Sequence, residues 1–190
     1  QPLGGVGSVF HTVVNPSRAR LRDGDTHRPI AKSGGIAGDF AANGLLNSGA
    51  GALTFSNNVT IGSRKELILT SPDTTRSLTL RGTISDGPGG SSGITVAGGG
   101  TVSLTGSNAY SGVTIVSLGT LAVYNTNALG TTGGNTIVYS TGRTTDGGQL
   151  ALAGGITVAE PVTLLGPGDA ASGSYTRAID AWTAGTNTLS

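Results

Sequence analysis

The sequence predicts an all-β fold of the β-solenoid kind, and three observations carry that expectation. Val, Ile and Leu come in short alternating runs separated by Gly, Ser and Asn. The chain holds 34 glycines, only 4% aromatic residues and only 11% charged residues, against about a quarter charged in ordinary soluble domains. Similar apolar triplets return at steps of 19 to 29 residues, the spacing of repeat architectures. A β-sandwich would call for strands every ~8–12 residues and a larger aromatic core. A solenoid needs only short strands, small residues at its corners, and like residues stacked on like.

The bounds set by length and composition are consistent with this. A chain of 190 residues fits one domain with a real core. Its 36% hydrophobic content, delivered in β-branched alternation, argues against disorder. A net charge of +1 gives no general attraction to nucleic acid or to an anionic membrane. With no cysteine, disulfides, thiol catalysis and thiolate metal sites are excluded. A chain with neither Cys nor Met suits an exported protein. No apolar run approaches the ~20 residues of a membrane-spanning helix, and no basic start leads into an apolar signal core. Because the first residue is Gln1, the expectation is a removed leader or a fragment. The end, Gly185 to Ser190, reads as a strand cut in mid-repeat.

Residues 1–35 differ from the rest and read as an N-terminal arm or cap, irregular or with one strand. They hold Arg18, Arg20, Arg22, Arg28 and Lys32 against Asp23 and Asp25, together with both histidines. Val9 to Val14 has strand alternation, while Ser17 to Lys32 reads as an exposed arm or loop. Residues 36–190 read as the repeat domain. Its strands are expected at Ala52–Phe55, Val59–Ile61, Glu66–Thr70, Ser77–Arg81, Ile94–Val96, Val102–Thr105, Val113–Val116, Leu121–Tyr124, Thr136–Tyr139, Gln149–Leu152, Ile156–Val158 and Val162–Leu165. One series of triplets begins at Leu53, Leu78, Val102, Leu121 and Leu150; a looser one begins at Val59, Ile94, Val113 and Ile156. Roughly six to eight coils at ~4.8 Å each predict a short rod of about 30–40 Å.

The best repeat is residues 98–130, whose alternating segments are Thr101–Thr105, Val113–Val116 and Thr120–Tyr124. There Gly99-Gly100-Thr101-Val102-Ser103-Leu104-Thr105-Gly106-Ser107-Asn108-Ala109-Tyr110-Ser111-Gly112 leads into Val113-Thr114-Ile115, Gly119-Thr120-Leu121-Ala122-Val123 and Asn127-Ala128-Leu129-Gly130. This resembles the autotransporter-associated β-strand repeat, also called the passenger-associated transport repeat. Departures are slight: Ala109 for the usual Thr, Val113 for Gly, and Leu118 where a small residue is usual. Weaker echoes run over roughly residues 45–190. The resemblance implies a right-handed parallel β-helix in a secreted or surface-displayed bacterial protein, with no catalytic residues to carry over. On the residues themselves, Val102, Leu104, Ile115, Leu121 and Val123 are expected inward. Asn108, Asn125 and Asn127 are expected at corners with local bonds, and Tyr110 is expected to pack over a corner.

Chemistry is sparse. From Gly87 onward the charged residues are Arg143, Asp146, Glu160, Asp169, Arg177 and Asp180, scattered and with no carboxylate pair at strand spacing. Asp86-Gly87 and Asp146-Gly147-Gly148 read as turns; Asp169, Arg177 and Asp180, close in sequence, read as an ion pair on a loop in preference to a small polar site. His11 and His27, near Asp23 and Asp25, lack the partners of a metal site. Ser8 and Ser17 have no nucleophile-elbow context, and Gly4-Gly5-Val6-Gly7 is not a phosphate loop. Asn58-Val59-Thr60 is a glycosylation sequon, read as accidental. No catalytic, cofactor-binding or metal residue is assigned, and no cofactor. The expected role is structural and non-enzymatic: a secreted or cell-surface stalk, adhesin or matrix element. Self-association through the solenoid ends or the N-terminal strand, into a filament, fits that role. It also allows a glycan or host surface as partner, and an outer-membrane tether supplied by other parts of the protein. The alternative is a carbohydrate-binding or polysaccharide-degrading β-helix.

Overall fold

The computed structural model describes residues 10–15, 18–23, 26–29, 40–47, 51–62, 65–140, 147–166, 178–183 and 185–190; for 10–43 and 46–47 it describes the backbone alone. Every regular element among them is a strand. The leader contributes β1 (Phe10–Asn15), β2 (Arg18–Asp23) and β3 (Thr26–Pro29), followed by β4 (Phe40–Asn47). Next come β5 (Ala52–Phe55), β6 (Val59–Ile61), β7 (Glu66–Thr70), β8 (Ser77–Leu80), β9 (Ile84–Ser85) and β10 (Gly93–Ala97). Then follow β11 (Thr101–Leu104), β12 (Thr114–Val116), β13 (Gly119–Val123), β14 (Thr136–Tyr139) and β15 (Gly148–Leu152). The last are β16 (Thr157–Val158), β17 (Val162–Leu165), β18 (Ile179–Ala181) and β19 (Thr188–Leu189).

These strands form a parallel β-solenoid. One sheet runs β5, β8, β11, β13, β15, β18; the other runs β4, β7, β10, β12, β14, β17, with β1, β2 and β3 added beyond β4. Within a coil the chain passes from the first sheet, along a short third side, to the second. Six rungs separated by ~4.8 Å put about 24 Å between the first and the last of them. The first triplet series is the rung register itself: Leu53, Leu78, Val102, Leu121, Leu150 and Ile179 are Cα partners in turn. Phe55, Leu80, Leu104, Val123 and Leu152 form the column beside it. Leu45, Leu69, Val96, Val116 and Val138 close the core from the other sheet. The steps between rungs vary in length while the columns hold their register.

The looser series was out of phase in part. Ile94 pairs with Thr114 and Val96 with Val116, so Ile115 faces outward and is only half-buried. A one-residue slip moves every side chain to the opposite face. Here the inward position goes to Thr114, fully buried and hydrogen-bonded through its hydroxyl to Tyr110 at 2.7 Å. Tyr110 itself is fully buried in the core rather than laid over a corner.

The Arg-rich segment is also not a loop. β2 pairs antiparallel with β1 and with β3, and β1 pairs parallel with β4. The Arg18-Ala19-Arg20-Leu21-Arg22 run is a period-2 alternation, compatible with a strand despite its charge. β4, β9 and β18 escaped the sequence reading. β4 holds Asn43-Gly44 at its middle, β9 is two residues long, and β18 places Asp180 between Ile179 and Ala181.

Glycine is demanded at the corner after β12. Gly119 has φ of +77°, and a Cβ there would run into the carbonyls of Gly98 and Gly100 one coil away. Leu121→Ala, in the middle of its column with no exposure, will lower the unfolding free energy by about 2–5 kcal/mol. Leu164→Ala, in the outermost rung and 48% exposed, will cost under about 1 kcal/mol. Urea denaturation of the two variants checks the contrast.

Candidate functional site

The third side of the coils concentrates the polar side chains. Asn108 is 5% exposed and spans three coils: its Oδ1 accepts from the Ile84 N–H at 2.8 Å and its Nδ2 donates to the Ala128 carbonyl at 2.6 Å. Its bonds are therefore between coils, not local. Asn58 accepts from the Thr83 N–H at 2.8 Å, so the sequon residue has a structural role. Asn187 accepts from the N–H groups of Gly155 and Ile156, both at 3.1 Å. These amides satisfy backbone groups where the regular ladder is interrupted. Asn125 does bond locally, to the Asn127 N–H at 2.9 Å, and Asn127 Nδ2 reaches Ser107 Oγ at 3.4 Å.

Asp86 does more than make a turn. Its Oδ1 accepts from the Ser92 N–H at 2.8 Å and the Ser111 N–H at 3.1 Å, and Oδ2 accepts from the Ser111 hydroxyl at 2.6 Å. Burial pushes its pKa up, but the Ser111 hydroxyl and the backbone donors outweigh that and hold it below the usual carboxylate value.

Glu160 is the site residue that sequence reasoning passed over among scattered charges. It lies at the corner before β17, is 5% exposed, and its Oε1 accepts from the buried Thr136 hydroxyl at 3.0 Å. Its Oε2 is buried with no partner among the described residues. Burial pushes the carboxyl up to about 7 against the lowering effect of the Thr136 bond. Burial also raises the Tyr110 phenol strongly, partly offset by its bond to Thr114, with the charge of Glu160 adding to the rise. Thr114 and Thr136 are Cα partners on adjacent rungs. The core of these coils thus carries a polar column flanked by Tyr110 and Glu160. The sequence signal was a lone Glu between Ala159 and Pro161 in a nearly charge-free repeat.

Among the described residues no strand pairs with the outer edges of the last rung. β17, β18 and β19 each stand at the edge of a sheet. Leu164, Leu165, Trp182 and Leu189 are 39–48% exposed there. A shallow hollow is lined by Leu152, Ile179, Asp180, Ala181, Asn187 and Leu189. Asp180 lies on β18, not on a loop, and its Oδ1 accepts from the Ala181 N–H at 2.9 Å. Arg143, Asp146, Asp169, Arg177, Ser8, Ser17, Lys32, Asp25 and Gly4 to Gly7 lie outside the described residues. The register sets His11 opposite Arg22, and Arg22 opposite His27, in one cross-strand row. Among the described residues no group of three metal-ligating side chains comes together, and no helix is long and apolar enough to cross a membrane. Compared with known proteins, the chain matches no family model, no curated protein and no solved structure.

Asn108→Ala will strand two buried backbone groups and lower stability by about 2–4 kcal/mol, with the Ile84 amide losing hydrogen-exchange protection in NMR. Asp86→Asn will weaken the corner at neutral pH. Asp86-linked stability, present above the usual carboxylate pKa, fades in wild type as pH falls through the depressed value. That acid-side loss will be absent in the variant, as acid denaturation followed by circular dichroism will show.

Proposed function

We propose that this solenoid is a structural element of a secreted or cell-surface bacterial protein, a stalk whose work is extension and display, and that it lengthens by stacking rung on rung. The observation that carries this reading is the in-register parallel stack of rungs, whose strands β17, β18 and β19 stand at sheet edges among the described residues and carry the exposed side chains Leu164, Leu165 and Leu189. Such edges template further strands unless blocked by charge, Pro or a covering segment. The six-stranded sheet is also open at β5 among the described residues. A second copy arriving head to tail continues the strand direction, and a contact of that kind does not close on itself, so it builds filaments. The resemblance of residues 98–130 to the autotransporter-associated repeat supports the surface location and the non-catalytic role.

Electron microscopy and light scattering of the purified chain test the stacking. Rods that lengthen with protein concentration are expected. Leu165→Lys/Leu189→Lys, which places charges on the open rung, will return them to short particles. Uniformly short, separate particles of the unaltered chain at high concentration would overturn the self-stacking.

A further inference from the structure

We propose that Glu160 is a proton-dependent latch for the last rungs of the solenoid: neutral, it seats the corner before β17 against Thr136, and ionisation loosens the rungs that follow. The inference concerns the folded chain itself and does not depend on what the open rung meets.

The geometry makes the two charge states unequal. Glu160 is nine-tenths buried; among the described residues its one hydrogen-bond donor is the Thr136 hydroxyl, and its second oxygen has no partner. A buried carboxylate ordinarily needs two or three donors or a cation to stay ionised. Among the described residues the surroundings supply neither. From β14 the group facing it is Thr136; from β12 it is Thr114, whose hydroxyl is engaged by Tyr110. Among the described residues the titratable neighbour coupled to it is Tyr110, a phenol that brings no positive charge. β17 offers Val162 and Leu164 at the inward positions. Asp86, on the same side of the coil, belongs to a rung three steps away and is held by Ser92 and Ser111. Behind the corner, Gly134 leaves Glu160 Oε1 its room: a Cβ there would come within 3.4 Å of it.

The position on the rung decides what is latched. The Pro161 carbonyl, next to Glu160, accepts from the Thr136 N–H at 2.9 Å and starts the β14–β17 ladder. On the other side of Glu160, β16 carries β19. Both outermost segments therefore depend on this one corner.

The sign follows from the direction of the shift. Folding raises the carboxyl from its ordinary 4.5 to about 7. Between those values the folded state holds the extra proton, so stability is greatest below about 4.5, falls as pH rises, and reaches its lower plateau above about 7. Each pH unit in that window is worth about tenfold in the folding equilibrium. The whole window is on the order of a hundredfold.

Hydrogen exchange and urea unfolding of the full chain between pH 5 and pH 8 test this. Protection of residues 147–190 is expected to fall on the order of a hundredfold across the range. Glu160→Gln should remove most of that dependence, and Thr136→Val, which deletes the donor that favours ionisation, should move the transition to higher pH. Carbon-13 NMR of the Glu160 carboxyl in the unaltered chain gives a reading that does not depend on the variants folding. A carboxyl titrating near 4.5, or a Glu160→Gln chain with the pH dependence of wild type, would overturn the latch.

Discussion

Everything in the solenoid hangs on one constraint: each strand from β4 onward must find, ~4.8 Å away, a parallel strand in register. Parallel pairing satisfies the backbone only if successive rungs are stacked without slip, and the columns of Leu, Val and Ile enforce that. A slip by one residue would turn the Val102–Leu121–Leu150 column outward and bring Ser103, Ala122 and Ala151 in. The hydrophobic effect thus fixes the register, and the register sets where each corner falls. Charge is almost irrelevant to this frame, which is why so few ionisable residues suffice.

Where the ladder is interrupted, side-chain amides and hydroxyls take over the bonding. Asn108 is the clearest instance, reaching one coil down and one coil up. Asp86 ties its own turn to the Ser111 corner of the next coil. The polar residues of the chain are therefore concentrated in coil-to-coil seams, and the same logic explains the Asn-x-Tyr-Ser-Gly run. Asn108 bridges, Tyr110 fills the interior, Ser111 caps Asp86, and Gly112 passes too close to the Ser92 backbone to carry a side chain.

Much of this was legible in the sequence. The alternating runs located the main strands, and the triplet series beginning at Leu53 gave the true stacking partners. Three things were not legible, for physical reasons. The facing of Val113 to Val116 is ambiguous by periodicity, since apolar residues stand at three of four positions, and it is the pairing with β10 and β14, with the Tyr110–Thr114 bond, that turns Thr114 inward. The strand character of Arg18 to Asp23 was masked by charge. The burial of Glu160 depends on contacts made 24 residues earlier in the chain, at Thr136, which no local pattern encodes.

The uneven coils have a further consequence. Between Val102 and Leu121 the chain completes a circuit in 19 residues, whereas Leu121 to Leu150 and Leu150 to Ile179 each take 29. The columns are undisturbed by the extra residues, because a loop of greater length adds little closure entropy once its ends are pinned. The frame accordingly tolerates differences in length: a segment of about ten residues can be spliced in or out between rungs without altering the columns.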